Sequence, residues 1–436
     1  MVSLCLISGH LSANSAPTDI TASKLAIAEN SAIGTVIGEF NATDPDGEGN
    51  LTYSLIPYPP KLWLDASDPA TIEQVGGNLT KWLNKAGGNH DAVVASGSVK
   101  FLADGLGNSL PAVNTSSGQL KIIDSNTSFD GWEKLTIGLV YKWTSISSWN
   151  DALWKSAGNT SRGYAISKMN VTTQNQGTGF WYGSSTGNSR LMGSTQTAAI
   201  FEPKVLTVVG DGSTEVVKLF ANGVEIRSAS NFPPRLVQAR EYDVKIGGGH
   251  LFSEILIYKD ALDSAERSSV EDYLMGKWLG NRHSVLVDSN GTLKTNSVFD
   301  YETDGNYTLT IWATDDHNAS YDKNFTISVT NVVEDLDGDG TEDHYDLDID
   351  GDGLSNAEEL LYNSDPWDAS SSNRPPSDIN ASNLTIAENS AIGTLIGEFN
   401  ATDPDGEGNF TFSINSNSLL LWLPFDERNG TQAENL

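Results

Sequence analysis

Apolar and polar residues alternate along much of this chain, with the two-residue period of half-buried β-strands. The alternation is clear in residues 51–55, 135–139, 307–311 and 325–329. A further run, residues 216–226, is interrupted by Asn-Gly, the dipeptide typical of a two-residue hairpin turn. The sequence therefore predicts an all-β chain.

One segment has the period of an α-helix instead. Asp263 can cap a helix, with Glu266 three residues later as the second half of a capping box. The apolar residues that follow share one helical face: Val270, Tyr273, Leu274 and Trp278. We expect this helix to seal one end of the β domain that precedes it.

A long internal repeat organises the chain. Residues 17–55 return almost unchanged as residues 376–414, which predicts a modular array with one fold for both copies. One copy supplies only about three strands, too few to bury two sheet faces against each other. The strand patterns of residues 283–333 supply the missing half. Residues 61–281 are therefore expected to form a separate domain, inserted at a surface turn.

These boundaries predict tandem antiparallel β-sandwiches, with a larger jelly-roll sandwich nested in the first of them. The expected order is the edge of a longer chain (1–16), the first half of a split sandwich (17–60), the inserted domain (61–281), the second half of the sandwich (282–334), an acidic linker (335–368), the first half of a second sandwich (369–416) and the start of a second inserted domain, cut short (417–436).

Charge and cysteine content narrow the possible partners. The 436 residues include 57 acidic and 26 basic residues, for a net charge of −31, which repels the phosphates of nucleic acids. Cys5 is the single cysteine, so no intrachain disulfide can brace the domains. No apolar run reaches the length of a membrane span, and no signal peptide or membrane attachment is visible. Metal ions are the obvious alternative to disulfides.

Two acidic clusters have the spacing of calcium loops. A twelve-residue loop binds Ca²⁺ through oxygens at positions one, three, five, seven, nine and twelve, with Gly at position six. Residues 348–359 fit that pattern, with Gly353 at the turn and the carbonyl of Leu354 at position seven. The predicted side-chain ligands are Asp348, Asp350, Asp352, Asn356 and Glu359. A solvated acidic linker is the alternative interpretation.

The preceding residues form a second, weaker loop. Its predicted ligands are Asp335, Asp337, Asp339, Asp343 and Asp346, with Gly340 at the turn. Its last ligand is an Asp, which reaches less far than Glu. The whole segment resembles thrombospondin type 3 and dockerin-like calcium loops, and this resemblance implies calcium as the bound ion.

The split sandwich resembles a cadherin-type repeat. The motifs that carry the resemblance, in chain order, are Ala28-Glu29-Asn30, Asp44-Pro45-Asp46, Gly49-Asn50, Asp300-Tyr301-Glu302 and Ala313-Thr314-Asp315. The resemblance implies two calcium half-sites, one from Glu29, Asp300 and Glu302 and the other from Asp44, Asp46, Asn50 and Asp315. The family's acidic linker is absent before Pro17 and before Pro376. Asx turns and strand-end acids that bond their own backbone are therefore an equally weighted interpretation.

The inserted domain resembles concanavalin A-like, laminin G-type domains in its opening residues, LWLDASD, and in its strand-plus-helix ending. This resemblance implies a lectin-like recognition role. Sugar binding would need exposed aromatic rings beside amide or carboxylate groups. The available side chains are Trp132, Trp143, Trp149, Trp154, Trp181, Tyr182, Asn89, His90 and Asp91. Most Trp residues in a sandwich belong to the core, so the sequence does not choose among them.

No catalytic motif is found in residues 61–281. A jelly-roll glycosidase needs facing carboxylates, which are commonly spaced as E-x-D-x-E on one strand, and that pattern is absent. We therefore expect a non-catalytic, calcium-binding protein, secreted or on the cell surface, that acts in adhesion or recognition. Its expected partners are calcium and either glycans or other cell-surface proteins. The alternative is the carbohydrate-binding scaffold of a larger polysaccharide-degrading enzyme.

Overall fold

The structure is a computed structural model. It describes residues 14–47, 50–57, 59–107, 109–123, 128–144, 150–156, 162–169, 177–184, 187–192, 202–236, 242–280, 285–303, 305–406 and 410–413. Residues 1–13 of the predicted N-terminal edge (1–16) and the whole of the predicted part 417–436 lie outside these residues. Within the described chain, strands greatly outnumber helices, and the predicted all-β class is confirmed.

Strands and helices are numbered here in chain order. The strands are β1 (Asp19–Ala22), β2 (Ala26–Ala28), β3 (Val36–Thr43), β4 (Thr52–Ser54), β5 (Leu62–Asp65), β6 (Ile72–Val75), β7 (Asn78–Trp82), β8 (Ala92–Gly107), β9 (Leu110–Ile122), β10 (Lys134–Trp143), β11 (Asn150–Ser156), β12 (Arg162–Met169), β13 (Gly177–Ser184), β14 (Gly187–Met192), β15 (Lys204–Asp211), β16 (Val216–Ala221), β17 (Val224–Ala229), β18 (Lys245–Ile246), β19 (His250–Tyr258), β20 (Val285–Val287), β21 (Thr292–Thr295), β22 (Asn306–Thr314), β23 (Ser320–Thr330), β24 (Asp378–Ala381) and β25 (Phe399–Thr402). The helices are α1 (Ser264–Leu279) and α2 (Asn356–Tyr362), and a 3-10 turn spans Pro69–Thr71.

Two strand groups that are far apart in sequence build one small sandwich. One sheet has the order β1-β3-β21-β20 and the other has the order β2-β23-β22-β4. Each sheet therefore takes strands from both sides of the long intervening segment. The two sheets share one apolar core, in which Ile20, Phe40, Leu293, Ile311 and Ile327 are buried. Each strand group alone supplies only two strands to each sheet, too few for an independently stable sandwich.

The intervening strands form a second, larger core. In the described residues, β5 to β19 join one strongly curled sheet whose central strands are β9, β19, β10 and β15. Every residue of β19 is buried, because this strand is covered on both faces. Helix α1 packs over β10 at Gly138. A Cβ atom added to Gly138 would lie 3.4 Å from Leu274 and 3.5 Å from Val270, so the absence of a side chain lets the helix pack closely.

Local signals in the sequence explain where α1 and one hairpin form. Asp263 caps α1 through the N–H groups of Ala265 and Glu266, and the Glu266 side chain accepts from the N–H of Asp263, which completes the capping box. Asn222 and Gly223 both adopt positive φ, as a two-residue turn between β16 and β17 requires. Both predictions are confirmed. No helix in the described part of the chain is long and apolar enough to span a bilayer.

Residues 333–436 form a separate compact unit from residues 1–332. This second unit contains the acidic loops, α2 and a two-stranded sheet of β24 and β25. The pair β24–β25 repeats the register of β1–β3, since Asp378 faces Thr402 as Asp19 faces Thr43. This strand pair therefore has the same register in both copies, whereas the counterparts of β2 and β4 are not strands in the second copy.

Candidate metal centre

The acidic segment folds as two loops with the same hydrogen-bond pattern. In the first loop, the N–H of Gly340 donates to Asp335 Oδ2 at 3.0 Å. In the second loop, the N–H of Gly353 donates to Asp348 Oδ2 at the same distance. Positions three and five repeat as well, because the carboxylate at each accepts an N–H from two residues later. The aspartates therefore stand at equivalent places in both loops.

Position nine is equivalent in the two loops despite a change of residue. Asp343 Oδ1 accepts the N–H of Leu336 at 2.8 Å, and Asn356 Oδ1 accepts the N–H of Ile349 at 3.0 Å. In both loops this side chain ties the end of the loop to its start. Part of its oxygen capacity is therefore used within the protein.

In the second loop, carboxylate oxygens converge on one point. One oxygen from each of Asp348, Asp350 and Asp352 lies within 4.8 Å of the others. Glu359 is fully buried at 0% exposure, although it is a charged residue in a surface segment. Five side chains of this region carry buried oxygens with no hydrogen-bond partner: Asp346 Oδ2, Asp348 Oδ1, Asp350 Oδ2, Asp352 Oδ2 and both carboxylate oxygens of Glu359.

Helix α2 points Glu359 inwards. Ser355 caps the helix, and its N–H and hydroxyl both donate to Glu358 Oε2, at 3.1 and 2.7 Å. This capping box keeps Glu358 on the exposed side of the helix and turns Glu359 towards the loop. Two adjacent glutamates thus have opposite environments.

The electrostatics of the second loop are unfavourable without a cation. Burial raises the pKa of Glu359, and the charges of Asp350 and Asp352 raise it further. Burial also raises the pKa of Asp350, a hydrogen bond from the Asp352 N–H opposes this, and the charges of Asp352 and Asp348 add to the rise. Buried carboxylates with unpaired oxygens are costly unless a counter-charge meets them. The donor set, all of it oxygen, suits a hard divalent cation.

The first loop is more open. Its three aspartates, Asp335, Asp337 and Asp339, also bring oxygens within 4.8 Å of one another, but two of them are exposed. The N–H of Asp339 lowers the pKa of Asp337, yet burial and the charges of Asp339, Asp346 and Asp335 raise it overall. Asp346, the predicted last ligand, accepts the N–H of Asp348 at Oδ1, at 2.9 Å. Its Oδ2 has no hydrogen-bond partner.

The first group of cadherin-type acids is partly used by the protein itself. Glu29 is buried and accepts the N–H groups of Tyr301 and Val332, at 2.8 and 2.5 Å. Asp300 accepts the N–H groups of Glu302 and Thr303, as an Asx turn does. Oxygens of Glu29 and Glu302 do come within 4.8 Å of each other.

The second group shows the same mixture. Asp315 is buried and accepts the N–H groups of His317 and Ala319 through Oδ1. Its Oδ2 accepts the side-chain amide of Asn14 at 2.9 Å, a residue that the sequence analysis does not single out. Asp44 Oδ2 is buried without a hydrogen-bond partner. Asp46 Oδ2 accepts the N–H of Ser15 at 2.6 Å, and Asn50 is exposed.

Most of the aromatic candidates for sugar stacking belong to the core. Trp132, Trp143 and Tyr182 are buried, whereas Trp154 and Trp181 are half-buried, and Trp149 lies outside the described residues. The three polar candidates also differ. His90 is buried with its ring against Phe129, Asn89 is exposed, and Asp91 accepts the N–H of Asn84.

Sequence reasoning missed a buried charged network in the inserted region. Glu254 of β19 is fully buried and accepts four donors, whose hydrogen bonds are 2.6 to 2.9 Å long: Trp63 Nε1, Tyr273 Oη, Lys277 Nζ and Trp278 Nε1. Asp65 lies beside it and accepts Lys277 at 2.9 Å and Lys85 at 2.8 Å. Strand β19 otherwise looks apolar, so only the pairing of β5 with β19 reveals this network.

Charge balance explains how the network is tolerated. Burial alone would raise the pKa of Asp65, but the charges of Lys277 and Lys85 hold it well below its usual range. Burial and the neighbouring charge of Asp65 raise the pKa of Glu254. Two lysines thus face two carboxylates, and the network ties β5, β19 and α1 together.

Comparisons with known proteins identify the class of the acidic segment. Residues 348–369 match the family model of the bacterial TSP3 repeat. The match covers the second loop and α2, and it confirms the thrombospondin type 3 part of the resemblance. A search of curated proteins gave no match. The cadherin-type and laminin G-type resemblances stay predictions.

Solved structures with local similarity include carbohydrate-binding domains. The sialidase CBM40 of Ruminococcus gnavus is 20% identical, with 32% of this chain and 83% of that chain aligned and a TM-score of 0.27. Domain 4 of AbnA, an extracellular arabinanase from Geobacillus stearothermophilus, is 18% identical, with 43% and 90% aligned and a TM-score of 0.34. The binding domain of botulinum neurotoxin serotype D/C is 11% identical, with 61% and 73% aligned and a TM-score of 0.36. At such low scores, the fold assignment rests on the strands of this chain alone.

Proposed function

We propose that this chain is a non-catalytic, calcium-binding protein of the cell exterior, in which Ca²⁺ orders the segment between β-sandwich domains that serve adhesion or recognition. The observation that carries the proposal is the set of buried, unpaired carboxylate oxygens between Asp346 and Glu359. These oxygens lie in the segment that matches the bacterial TSP3 repeat.

The ligand set of the second loop favours Ca²⁺ over smaller or softer ions. Calcium takes six to eight oxygens in flexible geometry, whereas Mg²⁺ demands a near-ideal octahedron and zinc prefers nitrogen and sulfur. Asp348, Asp350 and Asp352 each offer a free oxygen, and Glu359 offers two. With a backbone carbonyl and water added, this set reaches the number of ligands that calcium needs.

Calorimetric titration of the full chain with Ca²⁺ tests the proposal. The decisive variants are Glu359→Gln and Glu358→Gln, which remove the same charge from neighbouring residues of α2. Only Glu359 faces the loop, and Gln at 358 can still serve the capping box. Loss of the Glu359 carboxylate should weaken binding by at least about tenfold, since losing even an outer-shell partner of a metal site costs that much.

Two results would contradict this proposal. The first is the absence of any heat of binding with the unmodified chain at millimolar Ca²⁺. The second is an equal loss of affinity in both glutamate variants, because that would indicate a diffuse charge effect instead of a defined ligand set.

We also propose the nested arrangement as the frame for this function, with residues 61–281 inserted into a cadherin-like sandwich made of residues 17–60 and 282–334. The pairing of β3 with β21 and of β4 with β22 supports it. The cadherin-type acids are proposed as weaker calcium ligands, since backbone N–H groups already occupy several of their oxygens.

Glycan recognition is proposed for the inserted domain on one specific observation. A cavity of about 1060 Å³ lies between the inserted domain and the small sandwich, and the inserted domain lines it with aromatic and polar side chains, among them Trp63, Tyr273, Asp68 and Lys85. Trp63 is partly exposed, and Lys85 Nζ lies 4.7 Å from its ring centre. An aromatic ring beside charged groups is the combination that sugar binding uses.

A glycan array probed with the full chain tests this second proposal, and any glycan found is then titrated into Trp63→Phe. The smaller ring should weaken binding, because it offers less stacking surface to a sugar. Trp367→Phe is the matched control, since Trp367 is exposed in the other unit. No signal on the array, or equal binding by both variants, would count against a glycan site here.

A further inference from the structure

In this chain, asparagine is followed two residues later by Ser or Thr unusually often. Sixteen of the thirty-six asparagines stand in such an Asn-x-Ser/Thr triplet, none with Pro in the middle, whereas Ser and Thr together make up less than a fifth of all residues. This triplet is the acceptor sequence of N-linked glycans. Strands disfavour Asn, so the polar outer faces of a β-rich chain do not by themselves explain the excess.

The internal repeat allows some of these triplets to be compared with a near-identical segment that lacks them. Residues 17–55 and 376–414 differ at eight of thirty-nine positions. Five of the differences are exchanges between similar side chains: Thr18 and Ser377, Val36 and Leu395, Leu51 and Phe410, Tyr53 and Phe412, and Leu55 and Ile414. The other three exchanges all contribute to new triplets in the second copy.

Two of these three exchanges are needed for a single triplet. Asn383 stands where the first copy has Lys24, and Thr385 stands where it has Ala26. Either exchange alone would leave the triplet incomplete, and the loss of a lysine does not serve charge balance in a chain of net charge −31. The third exchange, Asn for Thr at position 380, adds another triplet three residues earlier. The second copy therefore has two acceptor sequences where the first has none.

The complete sandwich shows that these positions face solvent. Thr21 and Lys24 are exposed in the first copy, where both sheets have all four strands, and Ala26 is partly exposed. Asn383 and Thr385 are exposed in the second copy as well, and residues 382–387 belong to no strand or helix. Exposed chain outside regular structure is accessible to a modifying enzyme.

We propose that Asn383 is an N-glycosylation site. The side-chain amide nitrogen of Asn383 attacks the anomeric carbon of a sugar that is held on a phosphate ester. The bond from that carbon to the phosphate oxygen breaks, the phosphate leaves with the bonding electron pair, and the amide nitrogen loses one proton. The product is a glycan joined to Asn383 through nitrogen. The hydroxyl of Thr385 is the group that the transfer requires two residues later.

A glycan at Asn383 serves the second copy as Lys24 serves the first. Strand β1 is the end strand of its sheet, and Lys24 follows it by two residues. Charged side chains at a sheet edge discourage pairing with the strands of other chains. A glycan is bulky and hydrophilic, so it obstructs the same pairing by its size. The exchange of Lys24 for Asn383 therefore replaces one protection of the edge by another.

The inference rests on the location outside the cell that the proposed function includes, because the triplet is an acceptor in secreted chains. The test therefore uses the full chain isolated from the medium or the surface of its own cells. Mass spectrometry of its glycopeptides should find sugar on Asn383.

Variants made in the same cells identify the linkage. Asn383→Gln and Thr385→Ala should each abolish the sugar at this place, and both side chains are exposed, so neither change should disturb the fold. Thr385→Ser is the matched control, because it keeps the hydroxyl and should keep the sugar. Sugar that is lost in Thr385→Ala and kept in Asn383→Gln would lie on the hydroxyl, and that result would overturn the proposal.

The first copy offers the converse experiment, in which the triplet is transferred. Lys24→Asn combined with Ala26→Thr should acquire a sugar at position 24, whereas Lys24→Asn alone should not. The comparison is made with chains of unchanged circular dichroism, since Ala26 is partly buried. A folded double variant without sugar would overturn the argument that this edge of the sandwich is accessible to the transferase.

The proposal is also overturned if the chain recovered outside the cell carries no sugar on Asn383, or if Thr385→Ser loses the sugar as Thr385→Ala does. Both results leave the calcium proposal intact, because calcium is titrated with chain made in a host that lacks glycan transfer. A chain found only inside its own cells would contradict the location outside the cell, and with it both proposals.

Discussion

Asp65 and Glu254 in the inserted region, and Asp350 and Glu359 in the acidic loops, are all buried carboxylates, but their surroundings differ in charge. Lys85 and Lys277 approach Asp65 within 2.8 and 2.9 Å. The carboxylates of the second loop lie beside one another and retain unpaired oxygens. The first group is balanced by the chain itself, and the second is the group for which we propose a cation from solution.

The comparison shows how a buried acid is assigned a role. Burial raises the pKa of Glu359 and Glu254 alike, so burial alone does not separate a metal ligand from a structural acid. The number of hydrogen-bond donors around each carboxylate does separate the two roles. Glu254 accepts four hydrogen bonds, whereas both oxygens of Glu359 are unpartnered within the described chain.

The largest effect is expected from Asp65→Asn, which leaves two lysines without their shared buried carboxylate. Breaking a buried ion pair by removing one partner costs about 3–5 kcal/mol of unfolding free energy. Urea unfolding of the full chain in EDTA, followed by tryptophan fluorescence, measures it.

Asp68→Asn is the control for this prediction. Asp68 lies 3.4 Å from Lys85, but its side chain is 32% exposed, so the loss should be no more than about 1 kcal/mol. Similar losses in the two variants would mean that the network does not depend on the buried position of Asp65.

Calcium removal should affect the loops and spare the network. At free Ca²⁺ about 100-fold above the dissociation constant, binding stabilises the folded loops by about 2.7 kcal/mol. EDTA should therefore speed amide exchange in residues 335–362 while leaving β10 and β19 unchanged. Slow exchange throughout residues 335–362 in EDTA would contradict the need for an external cation.

Acid should change the stability of the network and of the calcium-free second loop in opposite directions. The pKa of Asp65 is lowered, so its contribution to stability is present above its ordinary value of 3.8 and lost as the pH falls below it. The difference in unfolding free energy between the unmodified chain and Asp65→Asn should therefore shrink in acid.

For Glu359, whose pKa is raised, the stability changes with pH in the opposite direction. Without calcium, the folded loop binds protons more tightly than the unfolded chain, so its stability falls as the pH rises through and above 4.5. In EDTA at neutral pH, Glu359→Gln should have the more stable loop, and this advantage should disappear in acid. Amide exchange of residues 348–362 at several pH values checks the sign, and an advantage that grew in acid would be evidence against it.

The smallest effect is expected from glycine substitutions that distinguish the second loop from the first. Gly338 and Gly351 hold equivalent positions with positive φ, so replacing either by Ala should cost about 1–2 kcal/mol of backbone strain. A Cβ at Gly351 would also lie 2.6 Å from Asp337 Oδ2, whereas a Cβ at Gly338 meets nothing within 4 Å. Gly351→Ala should therefore be the more damaging of the two to calcium affinity, as measured by titration. Equal effects would show that Asp337 does not pack on the second loop.

Local patterns determined much of this protein. The period of two in residues 307–311 and 325–329 gave β22 and β23, and Asp263 with Glu266 gave the start of α1, because these signals act between near neighbours. The calcium-loop spacing likewise specified which acids stand at equivalent positions, since each turn is closed by bonds between residues two to five apart.

Tertiary structure decided those contacts and burials that depend on residues far apart in sequence. The sequence of β19 does not indicate that Glu254 meets Trp63 and Lys277, because these contacts come from the pairing with β5 and the packing of α1. Spacing alone also could not show that Glu359 is buried while Glu358 is exposed. The clearest case is the repeat itself, where nearly the same residues are core in one copy and surface in the other. Burial is a property of what packs against a residue, and a sequence specifies that only through the whole fold.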